Sequence, residues 1–98
     1  MNIVFSKKSN ADLLSIAAFI YLNNPDHSKT FTQELVERCK SLMDMPRAYP
    51  LVERYKKSDV RRCTHGDYLI FYRISENSII VTRILNGARD YNSLPLDL

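Results

Sequence analysis

The alternation of apolar and polar positions predicts a β-hairpin late in the chain. Two runs rich in apolar and β-branched residues, 68–74 and 79–85, flank a polar turn centred on Glu76 and Asn77. Asn tolerates positive φ, which suits a two-residue hairpin turn. This turn places Arg73 opposite Ile80 on the neighbouring strand. The hairpin is therefore expected to form the centre of a sheet.

Helical periodicity predicts two helices before the hairpin. The first follows a plausible N-cap at Ser6, and the second begins at Asn24 and Pro25, where Asn can cap and Pro fits the first helical position. The apolar faces comprise Leu13, Ile16, Ala17 and Ile20 in the first helix and Phe31, Leu35, Cys39 and Leu42 in the second. The first helix also carries Leu14, Ala18 and Tyr21, so we expect it to be covered on more than one side.

Three further segments complete the predicted sheet. Asn2 to Phe5 indicates a first strand, Val52 to Lys57 a short edge strand, and Val60 to Thr64 the strand before the hairpin. The predicted class is α+β: an N-terminal strand, an antiparallel helical hairpin, then a mostly antiparallel sheet of three to four strands. Residues 1–98 are expected to form one domain.

Both faces of the predicted hairpin are apolar. Simple alternation assigns Tyr68, Ile70, Tyr72, Ile74, Ile79, Val81, Arg83 and Leu85 to one face, and Leu69, Phe71, Arg73, Ile80, Thr82 and Ile84 to the other. The helices can cover only the first face, whereas a solvated face should be polar. We therefore expect a partner protein on the second face, at Phe71 and Arg73. The alternative is that loops and the C-terminal residues SLPLDL cover it.

Charge adds a second candidate surface. The net charge is +3, and six basic residues fall between Arg47 and Arg62. They form either a solvated basic edge, which resists aggregation, or a surface for an acidic partner or nucleic acid. Arg83 lies on a mostly apolar face and needs a carboxylate, for which Asp12, Glu37 and Asp90 are candidates.

Composition argues against several functional classes. The two cysteines and two histidines lack metal-ligand spacing, so we expect no metal site and no cofactor. No apolar run is long enough to span a membrane, and the N-terminus does not resemble a signal peptide. We expect a cytoplasmic protein with reduced thiols.

The motifs together resemble the ParE branch of the RelE/ParE toxin superfamily. The resemblance covers about residues 3 to 92 and is most specific at YLIFYR, residues 68–73, and at RILNGARD, residues 83–90. It implies the RelE/ParE-like fold. It also implies a toxin of a type II toxin–antitoxin module that traps DNA gyrase during DNA cleavage and stops replication, with no catalysis of its own.

The same resemblance implies a partner and contact residues. A ParD-like antitoxin would neutralise the toxin and supply any DNA binding, and its acidic segment would suit the basic stretch. The residues expected to bind the antitoxin are Arg54, Lys56, Arg61, Arg62, Phe71 and Arg73. Gyrase contacts are expected at Arg83, Arg89 and Tyr91. Asn86 stands where relatives often have His, so no imidazole chemistry is expected there.

Two alternatives remain open from the sequence. RelE-like relatives cleave messenger RNA on the ribosome, and Lys56, Lys57, Arg61 and Arg89 could stabilise a phosphate transition state. A general base is hard to name, because Tyr91 is too close to Arg89 to match the usual tyrosine. The other alternative is an interaction module of the same fold without toxicity.

Overall fold

The computed structural model describes residues 1–88 and contains two helices and a four-stranded sheet. The elements are β1 (Asn2–Phe5), α1 (Lys7–Tyr21), α2 (Pro25–Ser41), a 3₁₀ segment (Glu53–Ser58), β2 (Arg61–His65), β3 (Tyr68–Ser75) and β4 (Ser78–Asn86). The strand order is β1-β4-β3-β2, with β1 parallel to β4 and the other pairs antiparallel. The predicted α+β class and mostly antiparallel sheet are confirmed.

Side-chain caps start both helices at the predicted residues. Ser6 accepts a hydrogen bond from the backbone N–H of Ser9 at 3.0 Å, and Asn24 accepts one from His27 at 3.1 Å. Each bond satisfies an N–H that has no partner within the helix. Pro25 occupies the first turn of α2, where its missing N–H costs nothing.

The main core lies between the helices and one face of the sheet, which we call the helix face. Its buried members are Ile16, Leu35, Cys39, Leu42, Cys63, Ile70, Tyr72, Ile79, Val81 and Ile84. The hydroxyl of Tyr72 donates a hydrogen bond of 2.8 Å to the carbonyl of Pro46, so the one phenol among these residues is satisfied. The helical periodicity therefore located the core side of α2 correctly.

The segment predicted as an edge strand, Val52 to Lys57, is instead occupied mostly by the 3₁₀ segment Glu53–Ser58. The N–H of Tyr55 donates to the carbonyl of Val52 at 2.9 Å, so the chain turns here and both side chains reach the same core, whereas a strand would point them to opposite faces. Both are buried and form a second core with Val60, Phe71 and Leu85. This core lies on the sheet face opposite the helices, here called the outer face.

Phe71 is therefore an internal residue. Its exposed fraction is 0 % because the segment containing Val52 and Tyr55 covers it. The expectation that the outer face at Phe71 needs a partner protein to cover it is wrong, and loop cover is the explanation that holds there. The proposed cover by SLPLDL falls outside the described residues.

A β-bulge corrects the predicted faces of β4. Phe71 pairs with Arg83 and Tyr72 with Val81, so Thr82 is an extra residue without an opposite partner. Beyond it, Ile84 belongs to the helix face and Leu85 to the outer face, the reverse of what simple alternation predicts. The hydroxyl of Thr82 donates to the carbonyl of Phe71 at 3.0 Å, which anchors the bulge.

Two smaller expectations also change. The strand predicted at Val60 to Thr64 begins and ends one residue later. The expectation that α1 is covered on more than one side is wrong, because Leu14 is 74 % exposed and Ala18 and Tyr21 are also exposed. Only the side of α1 that contains Ile16 faces the core.

The second core generates a stability prediction. Replacing Phe71 with Ala should lower the free energy of unfolding by about 3–5 kcal/mol, because it leaves a cavity beneath the 3₁₀ segment. Urea denaturation followed by circular dichroism measures the loss. The matched control is Val4→Ala on the exposed part of the same face, where a change under about 1 kcal/mol is expected. Equal losses of stability in Phe71→Ala and Val4→Ala would show that the burial of Phe71 does not contribute to stability.

Candidate partner-binding surfaces

Arg83 is held in a paired, largely buried contact with Asp12. Its Nε and Nη2 atoms donate to the two carboxylate oxygens at 2.8 and 2.9 Å, and the side chains are 15 % and 12 % exposed. This two-point geometry is the strong form of an Arg–carboxylate contact. The hydrogen bonds to Asp12 raise the pKa of Arg83 further above its usual value, so the guanidinium stays charged.

The position of Asp12 follows from the short length of β1. Beyond Phe5 the edge of β4 has no strand beside it, and its backbone groups need other partners. Ser6 donates through its N–H to the carbonyl of Val81 and through its hydroxyl to that of Thr82. Asp12 then accepts the N–H of Ile84 at 2.9 Å. Ser6 and the first turns of α1 thus provide the hydrogen bonds to the edge of β4 that a longer β1 would have made.

This pairing changes the interpretation of Arg83. Asp12 is the carboxylate that the sequence left undecided among three candidates, and it accepts hydrogen bonds from Nε and Nη2 along one edge of the guanidinium. Arg83 therefore joins α1 to β4 across 71 residues of sequence. A structural role accounts for its position, and the gyrase contact expected at Arg83 stays a prediction. The other two candidate gyrase contacts, Arg89 and Tyr91, lie outside the described residues.

The basic stretch does not form one uniform patch. Arg54 is exposed on the 3₁₀ segment, which also contains Lys56, and its guanidinium lies 5.9 Å from the ring centre of Tyr55. Arg61 is half-buried and donates to the carbonyl of Tyr49 at 2.6 Å, holding the loop before the 3₁₀ segment. Arg62 is half-buried and lies opposite the internal Phe71 in the register of β2 and β3. Of these arginines, Arg54 is the most available to a partner.

The outer side of β2 is covered by the chain itself. The N–H of Arg62 donates to the carbonyl of Pro50 at 3.2 Å, and Leu51 forms a bridge with Arg61. Further along, Nε of Arg38 donates to the carbonyl of Thr64 at 3.3 Å. These contacts occupy groups with which a strand from another chain would pair, so this edge is protected against strand addition.

An accessible patch remains on the outer face beside the second core. Val4, Ile80 and Arg73 form a row across β1, β4 and β3, since Val4 pairs with Ile80 and Ile80 with Arg73. Val4 is 48 % exposed, and the other two are half-buried. We call these three residues the outer-face row. The row combines apolar surface with the positive charge of Arg73, and the antitoxin contact expected at Arg73 stays a prediction.

Groups beside Arg61 and Arg38 are poorly suited to proton transfer at neutral pH. Burial raises the pKa of Tyr72 and of Cys39 to about 12 each. Burial also raises the pKa of Cys63, more than the nearby Arg38 lowers it. All three therefore stay protonated near pH 7. Within residues 1–88, no three His, Cys, Asp or Glu side chains come together in a way that could hold a metal ion.

Two features of α1 were missed from the sequence. A groove of about 400 Å³ lies between α1 and the ends of β3 and β4, and its lining includes Phe19, Tyr68 and Asn86. The outward side of α1 exposes Leu14, Phe19, Tyr21 and Leu22, of which Leu22 is 82 % exposed. The sequence signal was present in the wide apolar arc of α1, but we interpreted it as a buried surface.

Comparison with known proteins identifies the family. Residues 3–91 match the family described as the ParE toxin of the type II toxin–antitoxin system, parDE. The chain belongs to the ParE toxin family. This confirms the resemblance carried by the strand and corner motifs, and it agrees with the α+β architecture described above.

Solved structures related to this ParE-family chain include a protein from the chromosomal ParDE TA system of P. aeruginosa. It is 21% identical, with a TM-score of 0.75 over 88% of this chain and 95% of that chain, and it has the same fold. The conserved hypothetical protein HP0894 from Helicobacter pylori is 15% identical, with a TM-score of 0.45 over 91% and 97% of the two chains. No curated protein matches the sequence. Neither helix in the described part of the chain is long and apolar enough to cross a membrane.

The Asp12–Arg83 pair generates a second stability prediction for this ParE-family fold. Asp12→Asn should lower the free energy of unfolding by about 2–4 kcal/mol, because it leaves the largely buried guanidinium without a counter-charge. In Asp12→Asn/Arg83→Met the second change should cost less than Arg83→Met alone, with a coupling of about 1–3 kcal/mol. Urea denaturation of all variants measures both quantities.

The matched control for that cycle is Asp44→Asn, which removes the same charge from an exposed turn. It should change stability by no more than about 0.5 kcal/mol. Strict additivity of the Asp12 and Arg83 substitutions would show that the pair carries no coupling and would remove its assigned role.

Proposed function

We propose that this chain is a toxin that poisons DNA gyrase and is neutralised by a ParD-like antitoxin. The family match over residues 3–91 carries the proposal, because it assigns the chain to toxins of a two-protein module. The structural relative from P. aeruginosa comes from a ParDE system, which supports an antitoxin of the ParD kind. Gyrase as the target rests on the resemblance to ParE toxins, and the toxin would act in the cytoplasm.

The outer-face row and Arg54 are the surface that we assign to the antitoxin. An extended antitoxin segment would place apolar side chains on Val4 and Ile80 and acidic side chains near Arg73 and Arg54. Charges of opposite sign across such a contact speed association and fix the register of the two chains. Phe71 would not contact the partner, because it is fully buried. Its role would be to pack the core that lies beside this surface.

Gyrase poisoning requires no proton transfer by the toxin, since the breaking and joining of DNA belong to gyrase. Tyr72, Cys39 and Cys63 are buried in the core and stay protonated near pH 7, so these three side chains offer no general base for a RelE-like ribonuclease. The toxin would act by occupying a protein surface and stabilising the cleaved state of gyrase. DNA would be bound by the antitoxin.

The antitoxin surface can be tested by charge reversal. Arg54→Glu should weaken binding of the ParD-like antitoxin about tenfold, and the loss should shrink in high salt, because an attractive surface charge becomes repulsive. Isothermal titration calorimetry at two salt concentrations measures the effect. Lys29→Glu is the matched control. Lys29 is exposed on α2, and α2 packs on the helix face, which is the side of the sheet opposite the outer-face row. Equal weakening by both variants would show only a net-charge effect.

The activity is tested with purified toxin, gyrase, ATP and supercoiled plasmid. The expected product is linear DNA after denaturation of gyrase, because the toxin traps the cleaved complex. Arg89→Glu should reduce the yield of linear DNA about tenfold, since reversing a contact charge disrupts a protein interface. Lys29→Glu should leave the yield unchanged.

Three controls make that experiment decisive. Adding the antitoxin in equimolar amount should abolish the linear product. Normal supercoiling without cleaved DNA at excess toxin would rule out gyrase as the target. Cleavage of messenger RNA in a translation extract, lost on Arg89→Ala, would replace the proposal with the ribonuclease alternative.

A further inference from the structure

The exposed side of α1 has the spacing of a helix-packing seam. Its central positions are Lys7, Ala11, Leu14, Ala18 and Tyr21, with alternating intervals of four and three residues. This interval pattern keeps side chains in line along one side of a helix and is the pattern of a coiled-coil seam. We call these five residues together with Leu22 the α1 stripe. The buried Ile16 lies on the other side of the helix.

We propose that the α1 stripe is an interface between two copies of this chain, with their α1 helices packed antiparallel about a two-fold axis. In such an arrangement each copy presents the same surface to the other, so the surface must be complementary to itself. Both the shapes and the charges along the stripe meet that requirement. The proposal concerns association of the chain and does not depend on its target.

The side-chain sizes along the stripe are complementary when the helices run in opposite directions. Centring the axis between Leu14 and Ala18 sets the leucine of each copy against the alanine of the other. Ala11 then faces Tyr21 and Leu22 of the other copy. A large side chain thus meets a small one at the levels of Ala11, Leu14 and Ala18, which allows the helix axes to approach to about 8 Å. A parallel arrangement would set Leu14 against Leu14 and Ala18 against Ala18.

The charges at the two ends of α1 favour the same arrangement. The first turn contains Lys7 and Lys8 and no acidic residue, which is unfavourable beside the positive end of its own helix dipole. An antiparallel second copy brings these lysines to the negative, C-terminal end of the other α1. Asp26, in the first turn of α2, lies just beyond that end. An acidic antitoxin segment would find basic residues at one end of the stripe only, so the second copy is the better match.

Sedimentation velocity of the full chain, free of antitoxin, tests the association. The interface uses one helix face, so we expect weak dimerisation, with a dissociation constant on the order of 100 µM. Samples from about 10 µM to about 1 mM should shift from the mass of one chain, 11.4 kDa, towards twice that mass. A single-chain mass over the whole range would overturn the proposal.

Substitutions locate the interface. Leu14→Glu should weaken dimerisation at least about tenfold, because it buries a charge opposite an alanine. Met45→Glu, at an exposed apolar residue after α2, is the matched control and should not change the mass distribution. Thermal unfolding of both variants checks that the fold is kept. Dimerisation unchanged by Leu14→Glu, or loss of antitoxin binding alone, would overturn the assignment of this surface to a second copy.

A charge exchange and cross-linking test the antiparallel direction. Lys7→Glu and Asp26→Lys should each weaken the dimer, and the double variant should recover it. Oxidation of a mixture of Ala11→Cys and Tyr21→Cys chains should join one of each kind. Ala11→Cys alone should not cross-link, since its two sites would be about 15 Å apart along the axis. The native Cys39 and Cys63 are buried. Efficient Ala11→Cys self-linking would overturn the antiparallel arrangement.

Discussion

The fold depends on how the chain closes the edge of β4 where β1 ends. A four-residue strand leaves the second half of β4 with open backbone groups, and buried groups of that kind are costly if unpaired. Ser6 and Asp12 supply the missing bonds from a helix, and Arg83 neutralises the carboxylate that this requires. The ion pair thus holds in place the carboxylate that satisfies a backbone N–H of β4, and it is not an isolated surface contact. Its removal would expose a sheet edge as well as a charge.

The second constraint is that a short chain must cover both faces of its sheet. The two helices cover one face, and Val52 together with Tyr55 of the 3₁₀ segment covers part of the other. The outer face is divided as a result: Phe71 and Leu85 belong to the core, while Val4 and Ile80 stay accessible. The accessible outer-face row therefore lies directly beside a packed core, which holds its backbone in place. Rigid surfaces lose less conformational entropy on binding.

Sequence patterns predicted the elements well where a single period governed them. The caps at Ser6 and Asn24, the core face of α2 and the pairing of Arg73 with Ile80 all follow from local rules. The errors arose where a long-range contact decides the outcome. Thr82 reverses the faces of β4 through a bulge, and nothing in its own identity signals that. The site was harder still: Arg61 and Arg83 look alike as basic candidates, yet their carbonyl and carboxylate partners come from distant residues.

The parallel pairing of β1 with β4 sets the order of events during synthesis. The first strand of the chain has no partner until residues 78–81 have emerged from the ribosome, so the central sheet closes late. Until then the apolar residues of β1 and α1 remain open to water, chaperones and proteases. A product truncated before β4 would lack both the neighbour of β1 and the arginine that holds Asp12. The fold is therefore complete only when β4 is present, because β4 supplies both of these contacts.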